Sequence, residues 1–223
     1  MQQQMISYRK LPSSFYLDDT VTVARNLIGK LLVRRTGGET LSAIICETEA
    51  YPGFSDKACH SYRGKSERTQ VMFDKGGKAY VYLIYGMYCC FNVTTGGEGV
   101  PEAVLIRAAQ PVEGTSAMME LRQRKRQIKS LNERNLLSGP GRLCDGLGIS
   151  KEDNGKLRPE RNCFCAKEFL FLPNGLRQPK ESTLIMRRKQ KIFFTDLWTR
   201  KVPVFRSNGK GKTDERRIVL ELL

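Results

Sequence analysis

Histidine is almost missing from this 223-residue chain, which holds only His60, and tryptophan is as scarce, with Trp198 alone. His60 has one cysteine beside it, Cys59, and no second group at metal-ligand spacing. Cys163-x-Cys165 puts one residue between the thiols, where zinc sites use two to four. Seven cysteines cannot all pair internally. Buried, reduced thiols are the simplest account, which argues against both a disulfide scaffold and a structural metal. No apolar run approaches the roughly 20 residues that span a bilayer, and Met1–Lys10 lacks the apolar core of a secretory signal. A soluble, intracellular protein is expected, cytoplasmic in a bacterium and nuclear in a eukaryote, with no membrane partner. There is no internal repeat or low-complexity linker, so residues 1–223 read as one domain.

Acidic residues are also in deficit. Lys and Arg number 38 against 23 Asp and Glu, a net charge of +15. A surplus of this size favours a polyanion, because neutralising phosphates releases counterions. Charge alone leaves solubility, or a place beside the ribosome, as the plainer readings.

Residues 18–29 read as a short helix with acids at its start, Val21, Ala24, Leu27 and Ile28 on one face, and Gly29 ending it. Lys30–Arg35 and Thr40–Tyr51 are strand-like and joined by a Gly-Gly hairpin turn. Residues 52–77 read as loop. Lys78–Thr94 is rich in β-branched and aromatic residues and breaks at Tyr85-Gly86 into two arms. Within it the neighbours Cys89 and Cys90 fall on opposite faces. Ala103–Ala108 is another strand. Residues 115–130 form a basic helix with Met118, Met119 and Leu121 inward and Arg122, Lys125 and Arg126 open to phosphates. At Ser138-Gly-Pro-Gly-Arg142 a helix starts, with Ser138 as cap and Pro140 in the first turn, and Arg142 beside its N-terminus suits a phosphate. Short strands are expected at 168–172, 190–195, 202–206 and 217–222. Strands mixed with separate helices, without a βαβ rhythm, predict an α+β fold.

Along Ile45–Tyr51 alternation puts Glu47, Glu49 and Tyr51 on one strand face. Two carboxylates there repel phosphate, and three readings stay open. They are solvated or paired with cations, one is a general base supported by the other, or they hold Mg²⁺ with Asp56 for phosphodiester cleavage. Tyr80 and Tyr82 alternate as core residues do. Tyr85 precedes the turn glycine, where a wedge between base steps is as natural as packing. His60 reads as a solvated loop histidine, and Cys59 beside it diverges on an extended chain and makes no nucleophile pair with it.

In order and spacing, Glu47-Thr-Glu-Ala-Tyr51, His60, Tyr80-Val-Tyr-Leu-Ile-Tyr-Gly-Met-Tyr88 and Asn92 resemble the alkyladenine (3-methyladenine) DNA glycosylase family. Val104-Leu-Ile-Arg-Ala108, Pro111-Val-Glu-Gly114 and Leu137-Ser-Gly-Pro-Gly-Arg-Leu143 extend the likeness over residues 8–150. The resemblance implies a compact single α+β domain, a mostly antiparallel curved sheet with surrounding helices and a protruding β-hairpin. It implies no metal, no cofactor, and a monomer acting on double-stranded DNA with damaged purines. By position, Glu49 is similar to the base that activates water and Arg107 to the arginine that helps hold that water. Tyr51, His60 and Tyr82 resemble the pocket around the flipped base, Asn92 the residue that screens exocyclic groups, and Tyr85 the intercalating wedge. Arg122 and Arg142 are expected on the DNA backbone.

The chemistry is consistent with these roles. A glycosidic bond inside a duplex is reached by everting the nucleotide, and a carboxylate stabilises an oxocarbenium-like sugar while orienting water. With water as nucleophile and no lysine among the matched pocket positions, no strand nicking is expected. The chain departs from the family pattern at Arg68-Thr69, at Met87-Tyr88, at Arg187–Ile192, and at Ser207–Lys212, where a main-chain carbonyl of the family holds the water.

Overall fold

A computed structural model describes residues 8–126, 131–155, 163–167, 185–187 and 191–193. The strands are β1 (Arg9–Lys10), β2 (Leu31–Thr36), β3 (Glu39–Tyr51), β4 (Ala79–Ile84), β5 (Tyr88–Thr95), β6 (Glu102–Glu113), β7 (Cys163–Lys167), β8 (Ile185–Arg187) and β9 (Lys191–Phe193). The helices are α1 (Thr20–Leu27), α2 (Thr115–Arg126) and α3 (Pro140–Gly146). All pairings are antiparallel, in the order β1-β7-β2-β3-β6-β5-β4, and the β8–β9 hairpin adds through β9 to β3. This is the expected α+β class.

Local chemistry accounts for the elements. Asp19 caps α1 by accepting from the Thr22 amide at 2.9 Å, which satisfies one of the orphan donors of the first turn. The β2–β3 turn takes positive φ at both Gly37 and Gly38, matching the right-handed twist of the strands it joins. α3 has Pro140 in its first turn, as read from the sequence, but its cap is Gly139 and not Ser138. The Ser138 hydroxyl is engaged elsewhere, as a donor to the Asn135 carbonyl and an acceptor from Arg142. The expected strand at 190–195 contains β9, whereas 168–172, 202–206 and 217–222 lie outside the described residues.

One sheet face carries α1, α2 and α3 over the main core, with Leu27, Leu32, Ile45, Phe91, Ile106, Met118 and Leu143 wholly buried. Each such side chain contributes about 1.5–3 kcal/mol relative to exposure. The other face carries a smaller cluster of Cys59, Val71, Met72, Tyr80 and Ala103, with Tyr51, Phe73 and Tyr82 against it.

A change of alternation divides these faces. On β3 the helix side takes Leu41, Ala43 and Ile45, then Ala50, and the Thr48 hydroxyl donates to the Ala24 carbonyl of α1. On β6 it takes Val104 and Ile106, then Ala109. The register runs Ile45↔Ala109, Glu47↔Ala108, Thr48↔Ile106, so Cys46 and Arg107 have no opposite partner. Each strand therefore holds an extra residue, and such bulges re-aim side chains. Had Leu41, Ala43 and Ile45 simply continued, Glu47 and Glu49 would face the helices. The bulges turn them to the opposite face.

Candidate active site

Glu49 is 6% exposed, and a buried carboxylate survives only if it is held. Its Oε2 accepts from the Tyr51 hydroxyl at 2.7 Å and its Oε1 from Arg107 Nη1 at 3.1 Å. Arg107 Nε lies 2.9 Å from Glu47 Oε1, so one guanidinium serves both acids. Burial pushes against the Arg107 cation, but Glu49 and then Glu47 outweigh it and raise its pKa. Burial first, and then the charge of Glu49, push the Tyr51 hydroxyl well above the ordinary phenol value, so it remains a donor to the carboxylate. Glu47 and Glu49 thus reach each other through a cation, and among the described residues no three His, Cys, Asp or Glu side chains converge on a common point.

Beside this triad lies a cleft of about 60 Å³ lined by Tyr51, Cys59, His60, Tyr80, Tyr82 and Asn92, among others. Its walls are flat rings. His60 meets Tyr82 edge to face at 4.5 Å between centroids, and Tyr80 and Tyr82 are 5.3 Å apart. His60 Nδ1 is 2.9 Å from the Tyr80 hydroxyl and its Nε2 is 3.3 Å from Arg68 Nη2. An arginine only donates, so Nε2 accepts and Nδ1 carries the proton. Asn92 is buried and its amide nitrogen donates to the Tyr80 carbonyl at 3.0 Å. The structure thus brings Glu49, Arg107, Tyr51, His60, Tyr82 and Asn92 to one place. Tyr80 and Arg68, which the sequence reading left out of the site, belong to it too. Arg68 holds its guanidinium 5.0 Å from the centre of the Tyr82 ring. The signal for Tyr80 was its i, i+2 relation to Tyr82, and for Arg68 only its place in a basic loop.

Tyr85 stands apart at the tip of the β4–β5 hairpin. It is 67% exposed, with Leu83 and Met87 also exposed beside it. It is the only non-glycine with positive φ among the described residues, at 52°, a conformation that costs an L-residue about 1–2 kcal/mol.

Of the two arginines expected on the DNA backbone, Arg142 is half-buried and bonded to Ser138 at 3.2 Å. Arg122 is a correction. It is 6% exposed and its Nη1 donates to the carbonyls of Asn135 and Leu136 at 3.0 and 3.1 Å, which leaves no open face for a phosphate. It ties α2 to the segment before α3.

A sequence model of the methylpurine-DNA glycosylase family matches residues 14–188. The chain belongs to that family. Curated relatives from Bacillus cereus (strain AH187), Bacillus anthracis (strain CDC 684 / NRRL 3495) and Bacillus thuringiensis (strain Al Hakam) carry the provisional name 3-methyladenine DNA glycosylase. Each is 51% identical over 145 residues, covering 65% of this chain and 71% of the relative. As a DNA glycosylase the chain is a hydrolase of the N-glycosidic bond, acting on alkylated bases in DNA repair. Among the described residues no helix of the glycosylase is long and apolar enough to cross a membrane.

Proposed function

We propose that the protein everts alkylated or deaminated purines from duplex DNA, working as a soluble monomer inside the cell, and hydrolyses their glycosidic bond with water alone. Glu49 is the general base and the anionic partner of the oxocarbenium-like sugar. Tyr51 and Arg107 hold its carboxylate in place by a hydrogen bond to each oxygen. Arg107 also helps hold the attacking water. The everted base lies among Tyr51, His60 and Tyr82, Asn92 screens its exocyclic groups, and Tyr85 fills the gap left in the duplex. Arg142, near the start of α3, contacts the backbone. The carbonyl expected to share the water lies in 207–212, outside the described residues.

The observation that carries this reading is one nearly buried carboxylate, held by a phenol and a guanidinium, at the edge of an aromatic cleft. A carboxylate built only for surface solvation needs neither partner. At about 60 Å³ the cleft accepts a handful of waters, so a purine needs it to widen, and of its walls His60 is exposed to solvent.

The deciding experiment is Glu49→Gln on a duplex with a single lesion. Retained binding with base release lost is expected, and normal release would refute the assignment. Wild-type release that persists in EDTA, without strand cleavage, separates this reading from a metal-dependent nuclease that uses Glu47, Glu49 and Asp56. Duplexes carrying 3-methyladenine, 7-methylguanine, hypoxanthine or ethenoadenine then rank the lesions.

A further inference from the structure

The tip of the β4–β5 hairpin must push against stacked bases, yet its outer half is thinly supported by the sheet. β5 pairs with β6 only from Asn92 to Thr95, and β4 ends the strand order. Among the described residues no strand flanks Tyr88–Phe91 on its outer edge. A two-stranded ribbon alone is marginal in water, so the tip needs another mount.

Arg126, at the end of α2, supplies one. Its Nη2 donates to the Met87 carbonyl at 2.8 Å, two residues after Tyr85, and its guanidinium lies 4.2 Å from the centre of the Tyr88 ring. Its Nε donates at 2.8 Å to Oδ2 of Asp145 on α3, which is 3% exposed, and Lys125 Nζ lies 2.8 Å from the other oxygen. Tyr88 also touches α3. A Cβ at Gly141 would stand 2.9 Å from the Tyr88 ring, so that ring packs directly on α3 backbone. The Tyr88 ring at the root of the tip thus touches both a backbone face and a planar cation, and that cation is fixed by a buried carboxylate.

We propose that Arg126 is a positioning residue: with Asp145 and Tyr88 it clamps the hairpin so that Tyr85 is held rigid when it enters the duplex. The sequence reading offered Arg126 to phosphates, whereas the structure engages its Nε, its Nη2 and its flat face within the protein. The clamp acts through Tyr85 and rests on the reading of Tyr85 as the wedge.

A lysine separates the clamp from a phosphate contact, since it keeps the charge but cannot form two directed bonds and stack at once. The clamp predicts that Arg126→Lys and Arg126→Ala both lower base release from lesion duplex about tenfold, the order expected when a reacting constellation is slightly misplaced. In both variants the Met87 amide, which donates to the Ile84 carbonyl at 3.2 Å, exchanges with solvent faster, while the amides within α2 do not. Combined with Tyr85→Ala, neither variant adds a further loss, because both act through one side chain.

Wild-type release by Arg126→Lys would overturn the proposal. So would losses that multiply with Tyr85→Ala, or a salt slope on plain duplex that falls by about one in Arg126→Ala, the mark of a phosphate contact. If Tyr85→Ala alone releases lesions normally, the wedge reading itself fails. If Tyr85→Ala is impaired while the Arg126 variants are normal, only the clamp fails.

Discussion

Arg107 sits between Glu47 and Glu49, its Nε 2.9 Å from one carboxylate and its Nη1 3.1 Å from the other. The two acids share a strand face, and the cation between them offsets their mutual repulsion. Arg107→Gln leaves two like charges on one half-buried face and is expected to destabilise the fold by about 2 kcal/mol, somewhat below the cost of breaking a fully buried pair. Urea unfolding measures this. Adding Glu47→Gln should recover much of the stability, because the repulsion goes, but not base release, because Glu49 still lacks its guide. Recovery of both would make Arg107 purely structural.

The Tyr51 hydroxyl contributes one bond to Glu49 while its ring lines the cleft. Tyr51→Phe removes the first and keeps the second. The loss of about 1.5 kcal/mol for a hydrogen bond to a charged group predicts a roughly tenfold slower single-turnover release. Affinity for lesion duplex should stay within about twofold, since the stacking surface is intact. Because burial and Glu49 raise the pKa of this hydroxyl, it stays protonated through mildly alkaline pH. Any alkaline fall in wild-type rate should therefore persist in Tyr51→Phe, and its disappearance would show that the hydroxyl titrates.

How much of this was legible in the sequence depends on where two residues sit. The run Ile45–Tyr51 correctly sets Glu47, Glu49 and Tyr51 on one face, because alternation is a local property of a strand. Which face that is depends on the bulges at Cys46 and Arg107, and a bulge arises from pairing with a distant strand, which no local pattern displays. Arg122 departs from its expected place for a different reason. It lies four residues after Met118, one turn on along α2, and so shares the inward face of a fully buried residue; its charge suggests a phosphate, but its helical spacing points inward. The exposed place of Tyr85 at the hairpin turn was legible because a bulky residue beside a turn glycine is itself unusual. The grip of Arg126 on Met87 and Tyr88 joins elements 39 residues apart and could not be read locally.

His60 is the sole histidine, so its ring nitrogens give unambiguous NMR signals. Burial against the cleft, and then the Arg68 cation, lower its pKa, so at neutral pH it is uncharged, with the proton on Nδ1. The folded value lies below the unfolded one of about 6.5. As pH falls, the unfolded chain therefore takes the proton first. The stability this neutral imidazole contributes is complete above that value and is lost as pH falls through the folded one. The exposure of the ring keeps the effect on unfolding small, and the titration itself is the sharper test. The midpoint should lie below 6.5 and move upward in Arg68→Ala. An unchanged midpoint in the variant would remove Arg68 from the electrostatics of the cleft.

Tyr85 combines an unfavourable backbone angle with a solvated ring, so stability and function should part company there. Tyr85→Gly relieves the left-handed conformation, for which glycine carries no steric penalty, and removes an exposed aromatic that packs on nothing essential to the core. The folded protein is expected to gain up to about 1 kcal/mol, seen as a higher urea midpoint at unchanged slope. Lesion discrimination should fall at the same time, because nothing occupies the space left by the everted base; plain duplex, bound through phosphates, should be held nearly as before. Tyr85→Phe separates backbone from ring. It keeps the strain and the stacking surface, so stability and discrimination should both match the wild type. A stabilised Tyr85→Gly protein that still discriminated would mean that the angle at the tip is held for some reason other than presenting this ring to DNA.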